Sequence, residues 1–354
     1  MTNPPPKPNH DRHVGQDIPP PAFVSLGMVV LDELQFPHLP TLFDVCGGSG
    51  AYATLGARLT VSVDEANTVA CIVLSGDDFP ESVLDTLRSW HVRLERQTYP
   101  GQKSTRGLLK YEDDTFGRKS FRYLTTPLSP RVRHIKDSSL LHSQTFHILA
   151  RPDDLLVHIS ELSLHRVQSH NDGRPMVIWE PLPSDCKPVH LDAHLQALQQ
   201  VDVFSPNHLE LMSLFEGAGD LSRPFDRLLI ENYAKRCLDA KAPGSANAGF
   251  GVIVRAGEHG CLIQSASQGC RWLLAYYGEH STRVVDPTGA GNTFLGAFGN
   301  MFAKTGDLHE AAIFGTVAAS FALEQFGLPN FNVVDGRDTW NGDTFGERLG
   351  RYRP

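Results

Sequence analysis

From Phe23 onward, short apolar runs of strand length alternate with amphipathic stretches of helix length, and no other feature limits the fold as strongly. Ala22–Val30, Thr68–Leu74, Thr145–Leu149, Met176–Trp179, Val201–Phe204 and Gly251–Val254 read as strands. Gly48–Leu59, Glu81–Ser89, Pro152–Leu164, His190–Gln200, Asn207–Glu216 and Arg223–Ala240 read as the helices between them. Two further helices, Asn292–Lys304 and Leu308–Gln325, follow. Continuous apolar strands joined by helices require right-handed crossovers and a mostly parallel sheet covered on both faces, an α/β architecture. One segment breaks the rhythm. Val92–Leu124 is polar and β-leaning, with turn signals at Pro100–Gly101 and Asp113–Asp114, and reads as a hairpin excursion, either an ordinary surface hairpin or a lid.

The ends differ from the middle. Residues 1–22 are Pro-rich and polar, too poor in apolar surface to offset ordering entropy, and are expected to be a disordered tail. Residues 331–354 are expected to pack as a C-terminal extension, leaving one domain over 23–330. The net charge of −8 excludes the electrostatic footprint of a nucleic-acid binder. No apolar run reaches the roughly 20 residues of a membrane span. The start lacks a signal-peptide pattern. Six cysteines match neither a zinc ribbon nor a redox pair, so reduced core thiols and a cytoplasmic location are expected. The scattered histidines, His142, His147, His158 and His190 among them, show no metal spacing.

The chemistry concentrates in Val284–Phe298, VVDPTGAGNTFLGAF. An extended run feeds Asp286-Pro287-Thr288-Gly289-Ala290-Gly291, and a small-residue helix starts near Asn292. N–H groups at a helix start have no intrahelical partner, and the helix dipole adds positive potential, so the turn is an anion site suited to phosphate. A tight turn before a buried helix would use the same glycines.

This stretch resembles the second signature of PfkB-type, ribokinase-like carbohydrate kinases, D-T-x-G-A-G-D before a small-residue helix. The resemblance implies that Gly289, Ala290 and Gly291 form the hole for the transferring phosphoryl group. It puts Asn292 at the general-base position, and Asp286 and Thr288 where a monovalent cation, K+, is often ligated. Other segments match in order. Asp32 resembles the aspartate that holds a substrate hydroxyl. Gly47-Gly48-Ser49 resembles the first, sugar-side signature. Trp179-Glu180-Pro181 ends a strand where the family has a substrate-side turn. Asn207 and Glu210 match N-x-x-E, which arranges Mg2+ and ATP phosphates, the carboxylate acting on the metal through water. Arg255, Gly257 and Gly260 match the T-x-G-x-x-G loop beside the ATP phosphates, and Ala318 lies in a helix like the one beside the adenine. The resemblance implies a kinase of a small hydroxylated substrate using ATP and Mg2+, a lid within 92–124, and a homodimer through that lid.

The chain departs from the pattern at three places. Asn292 cannot accept a proton, which removes base assistance of about 100- to 10,000-fold unless another carboxylate supplies it. Phosphoryl transfer leans mostly on positioning and electrostatics, so a kinase whose amide only orients the hydroxyl is chemically workable. Arg255 replaces the usual Thr, either to clamp a phosphate or to form an ion pair elsewhere. Val30 and Tyr52 replace polar sugar contacts, which suggests a substrate with a ring to stack. The missing base equally fits a ligand sensor or scaffold that kept the fold. A dinucleotide enzyme is excluded by the absent G-x-G-x-x-G, a P-loop enzyme by the absent G-x-x-x-x-G-K-[ST], and a serine hydrolase by the absent G-x-S-x-G.

Overall fold

Every residue of Val69–Ser75 is buried, which a strand achieves only when both faces of its sheet are covered. The structure, a computed structural model, describes residues 19–112, 119–171, 173–217, 224–241 and 249–353. The tail over 1–22 lies almost wholly outside these residues, as does the turn at Asp113–Asp114. In chain order the elements are β1 (Phe23–Ser25), β2 (Val30–Gln35), β3 (Leu42–Gly47), α1 (Gly48–Leu59), β4 (Val69–Ser75), α2 (Glu81–Ser89), β5 (Arg93–Thr98), β6 (Arg106–Tyr111) and β7 (Lys119–Tyr123). Next come β8 (Thr145–Ala150), α3 (Pro152–Gln168), β9 (Met176–Pro181), α4 (Leu191–Ala197), β10 (Val203–Phe204), α5 (His208–Glu216), α6 (Arg227–Asp239) and β11 (Gly251–Arg255). The chain closes with β12 (Cys261–Ser265), β13 (Gly269–Leu273), α7 (Ala290–Thr305), α8 (Leu308–Ala322), β14 (Phe331–Val334), β15 (Arg337–Trp340) and α9 (Phe345–Tyr352).

Nine strands form the main sheet in the order β13-β12-β11-β10-β9-β8-β1-β4-β5. Its pairings are parallel from β5 to β11 and antiparallel at β11–β12–β13. Alternate residues of each strand feed opposite layers. Val24, Ala70, Ile72, Phe146 and Trp179 pack with α3, α4, α5 and α6. Phe23, Val69, Cys71 and Val73 pack with α1, α2 and α8, and Ile178, Val203 and Ile253 with α7 and α8.

The lid differs from the expectation. β5, counted within the hairpin over 92–124, is the edge strand of the main sheet, parallel to β4. Its polar residues mark an edge, where one side is wet. The excursion proper is a separate four-stranded sheet, β3-β2-β6-β7, so the lid draws half its strands from residues 30–47. The C-terminal segment is sewn into the body. Trp340 packs edge-on against Trp90 at 5.5 Å, Asp338 pairs with buried Arg58, and buried Arg348 binds Glu324 at 2.6 Å and Asp343 at 2.9 Å.

Helices α1 and α7 touch backbone to backbone. A Cβ at Gly56 would stand 1.9 Å from Thr293 O, and one at Gly296 would stand 1.8 Å from Ala53 O. Gly296→Ala is therefore expected to destabilise the protein by at least about 1–3 kcal/mol, the usual cost of overpacking, read from urea unfolding. Gly346→Ala in α9, where an added Cβ meets nothing, is expected to hold or raise stability.

Candidate active site

The start of α7 is where the two glycine turns meet. Gly289 adopts φ +79°, a left-handed conformation that glycine takes without steric cost. Its Cα leaves no room for a side chain because the ring of buried Tyr52, one turn into α1, lies against it. Tyr52 is thus spent on shaping the turn, not on stacking a substrate, and Val30 is likewise buried. Ala290 and Gly291 line a cavity of about 580 Å³ with Arg255, Gly257, Gly260, Tyr276, Tyr277 and Phe294. From α8, Thr316, Ala319 and Leu323 reach this cavity. Ala318 does not. It is fully buried in the core with α1, because a helix wide enough to serve both core and cavity turns adjacent residues to different sides.

The strand-end loops supply charge. Asn207 and Arg255 form a parallel bridge between neighbouring strand ends. Asn207 caps α5, its side-chain oxygen accepting from Glu210 N at 2.8 Å, while Glu210 accepts Asn207 N at 2.7 Å. N-x-x-E is thus a reciprocal helix cap whose carboxylate faces Arg255. Arg255 is not a surface ion pair. It lies against Gly291 and binds Glu180 at 2.8 Å and Glu210 at 3.6 Å, with its Nη2 also donating to Ser205 O. Glu180 Oε2 accepts from the Asn292 amide at 2.5 Å and from His147 Nε2 at 3.1 Å. Since a carboxylate only accepts, His147 carries its proton on Nε2, and Nδ1 takes the Ser25 hydroxyl at 2.9 Å.

Of Glu180, His147, Tyr111 and Lys119, only Glu180 was named from sequence toward the site, within the substrate-side turn Trp179-Glu180-Pro181 that the resemblance implies. Glu180 carried a signal, a lone acid ending the apolar run MVIW. The other three carried none. Burial works against the charge on Glu180, but Arg255 and His147 outweigh it and hold its carboxyl below the usual range. Glu210 goes the other way. Burial and the Glu180 charge, against the pull of Arg255, push it up to about 7.

Asp32, on β2 of the lid sheet, is buried. Its two oxygens fill the space where Gly47 and Gly107 lack a Cβ, and Oδ1 has no hydrogen-bond partner. Gly48 turns at φ +87°, and Ser49 packs its hydroxyl onto Gly27. Asp286 accepts from Tyr111 at 2.8 Å, from Lys119 at 2.9 Å and from the Thr288 N–H and hydroxyl. The structure thus gathers 286–292, 207–210 and 255–257 at one helix end, with Asp32 coupled to them through Asp286.

Both oxygens of Glu210 are committed to Asn207 and Arg255. Among the described residues no three His, Cys, Asp or Glu side chains converge on one point. Such a site suits Mg2+ only as an ion that keeps its waters and rests mainly on phosphates, with Glu210 behind water.

Burial first, then the Asp286 charge, against Lys119, pushes Asp32 up to about 7. The folded state therefore holds a proton that the unfolded chain releases near pH 4. This contribution to stability is complete below pH 4 and is lost as pH rises through 7. Asp32→Asn is expected to flatten the fall in urea midpoint between pH 5 and 8, leaving the parallel part that Glu210 causes; an unchanged slope would contradict the assignment.

The family model for pfkB family carbohydrate kinases matches residues 40–333. An uncharacterized Schizosaccharomyces pombe protein is 32% identical over 346 residues, covering 93% of this chain and 92% of its own. Protein MAK32 of Saccharomyces cerevisiae is 30% identical, covering 93% and 91%. The structure of Anopheles gambiae adenosine kinase in complex with P1,P4-di(adenosine-5) tetraphosphate superposes with a TM-score of 0.65 at 15% identity, over 88% of this chain and 99% of that one. With the glycine turns, the N-x-x-E cap and the lid sheet arranged around one helix start, the chain belongs to the pfkB carbohydrate kinase family and has its ribokinase-like fold.

Proposed function

We propose that the protein is an ATP-dependent phosphotransferase that acts on an alcohol group of a sugar, nucleoside or related small molecule, in the cytoplasm. The observation that carries this reading is the Asn292–Glu180 hydrogen bond. It sets a buried, ionised carboxylate one bond away from the position where the family has its general base. ATP would lie in the 580 Å³ cavity, with its γ-phosphate at the N–H groups of 289–291 and Mg2+ between phosphates and Glu210. Asp32, with an unsatisfied oxygen, would take the substrate hydroxyl beside Gly47, Gly48 and Ser49. Absence of a helix long and apolar enough to cross a membrane among the described residues, and free thiols at all six cysteines, are consistent with the location.

Steady-state ATP consumption against a panel of sugars and nucleosides tests this. Glu180→Gln is expected to lower turnover by about 100- to 10,000-fold if Glu180 takes the proton. Asn292→Asp alone is not a repair. Two carboxylates in hydrogen-bond contact share a proton, so no gain is expected. The exchange Asn292→Asp with Glu180→Gln is expected to recover turnover, because it returns the charge to position 292.

One observation favours a second reading, a ligand sensor or scaffold. Arg255 lies between Glu180 and Glu210, so part of the acidic charge on the phosphate side is already met by a side chain. ATP binding by calorimetry with no turnover on any alcohol would select it.

The lid sheet also exposes Phe43, Phe121 and Tyr123. A homodimer would cover this apolar face. Sedimentation is expected to give a dimer that Phe43→Glu with Phe121→Glu dissociates; a monomeric wild type would rule it out.

A further inference from the structure

One lid side chain reaches into the phosphate loop. Lys119 opens β7, the outer strand of the lid sheet, and donates to Asp286 Oδ1 at 2.9 Å and to Thr288 Oγ1. Asp286 is buried, and its oxygens are fully engaged. Oδ2 accepts from the Tyr111 hydroxyl, and Oδ1 accepts from the Thr288 hydroxyl at 2.7 Å and the Thr288 N–H at 3.1 Å. Thr288 Oγ1 gives its proton to Asp286, so its lone pairs are what face the ammonium. The Tyr111 ring supports the same charge from 5.3 Å. Family resemblance assigns Asp286 and Thr288 to a free monovalent cation. These residues do not fit such an ion here, because an ammonium of the same chain holds both oxygens.

The bonds fall where they govern the loop. Asp286 and Thr288 immediately precede Gly289, whose left-handed turn aims the first N–H groups of α7. Without a cation, Asp286 would be a buried carboxylate with no positive charge beside it, and Thr288 Oγ1 would keep its bond to Asp286 but lose the ammonium on its lone pairs. The cation also comes from a different sheet. Its ammonium reaches Asp286 only while β7 is seated over the cleft, so loop order and lid position are one event.

We propose that Lys119 is the site's own monovalent cation, a positioning residue that holds residues 286–291 in the form that receives phosphate and does so through lid seating. The proposal rests on the nucleotide reading above for its phosphate, but not for its cation.

The test compares wild type, Lys119→Ala and Lys119→Gln in KCl, NH4Cl and choline chloride at equal ionic strength. Gln keeps part of the stem and a donor and removes the charge. Two quantities are read: melting temperature without nucleotide, and ATP affinity by calorimetry. Wild type is expected to be indifferent to the cation in both. The variants in choline are expected to bind ATP about 10- to 100-fold more weakly, the size of a lost charge-assisted bond. Potassium or ammonium, small enough to sit between Asp286 and Thr288, is expected to restore affinity and raise the melting temperature. The proposal is overturned if wild type responds to potassium as strongly as the variants, if neither ion mends the variants, or if the variants lose nothing. Failure of every form to bind ATP would sink the kinase reading instead, while the nucleotide-free melting data would still decide the role of Lys119.

Discussion

The contact between α1 and α7 is made by main chain on both sides, with Gly56 under Thr293 and Gly296 under Ala53. Two helices that close bring their first turns equally close. The turn ahead of α1, which ends in Gly47 and Gly48, therefore lies beside the turn ahead of α7, which ends in Gly289. Tyr52 fills what space is left. Substrate-side and phosphate-side segments, more than two hundred residues apart in the chain, are held together by the absence of two methyl groups. Side-chain packing of ordinary bulk would open this gap by several ångströms.

The second constraint is charge. The site holds four buried acids, Asp32, Glu180, Glu210 and Asp286, in a region of low polarisability. Arg255 serves Glu180 and Glu210, and Lys119 serves Asp286. Asp32 is left without a bonded partner and carries the largest cost. A buried acid with one oxygen unpaired gains more from a hydroxyl donor than a solvated one does. Asn at 292 follows from the same count. A fifth acid beside Glu180 would not stay ionised.

The sequence made the layered α/β architecture legible because apolar period and glycine punctuation are local. The helix at Gly48–Leu59 and that at Glu81–Ser89 were readable to the residue. The lid was read only in part. Polar β-strands look alike whether they edge a main sheet, as β5 does, or cover a cleft, as β6 and β7 do. Glycine turns, the N-x-x-E cap and Arg255 could be located from motifs. Their partners could not: His147, Glu180, Tyr111 and Lys119 meet the loop through sheet topology across more than one hundred residues, and no local pattern encodes that. Ala318 lies apart from the cavity for a simpler reason, the phase of one helix whose neighbours Thr316 and Ala319 face it.

The ion pairs of residues 338–348 have a consequence for how the body holds together. Arg58, in the first helix, finds its carboxylate on Asp338, and Glu324 finds its guanidinium on Arg348. Both guanidiniums are buried, so a chain lacking the segment from Asp338 to Arg348 would leave Arg58 with no carboxylate beside it. Glu324 would keep Arg283, but the uncompensated Arg58 charge would make such a product poor at folding and easy for proteases to find. Asp338 on β15 thus supplies the counter-charge that α1 cannot find within its own layer.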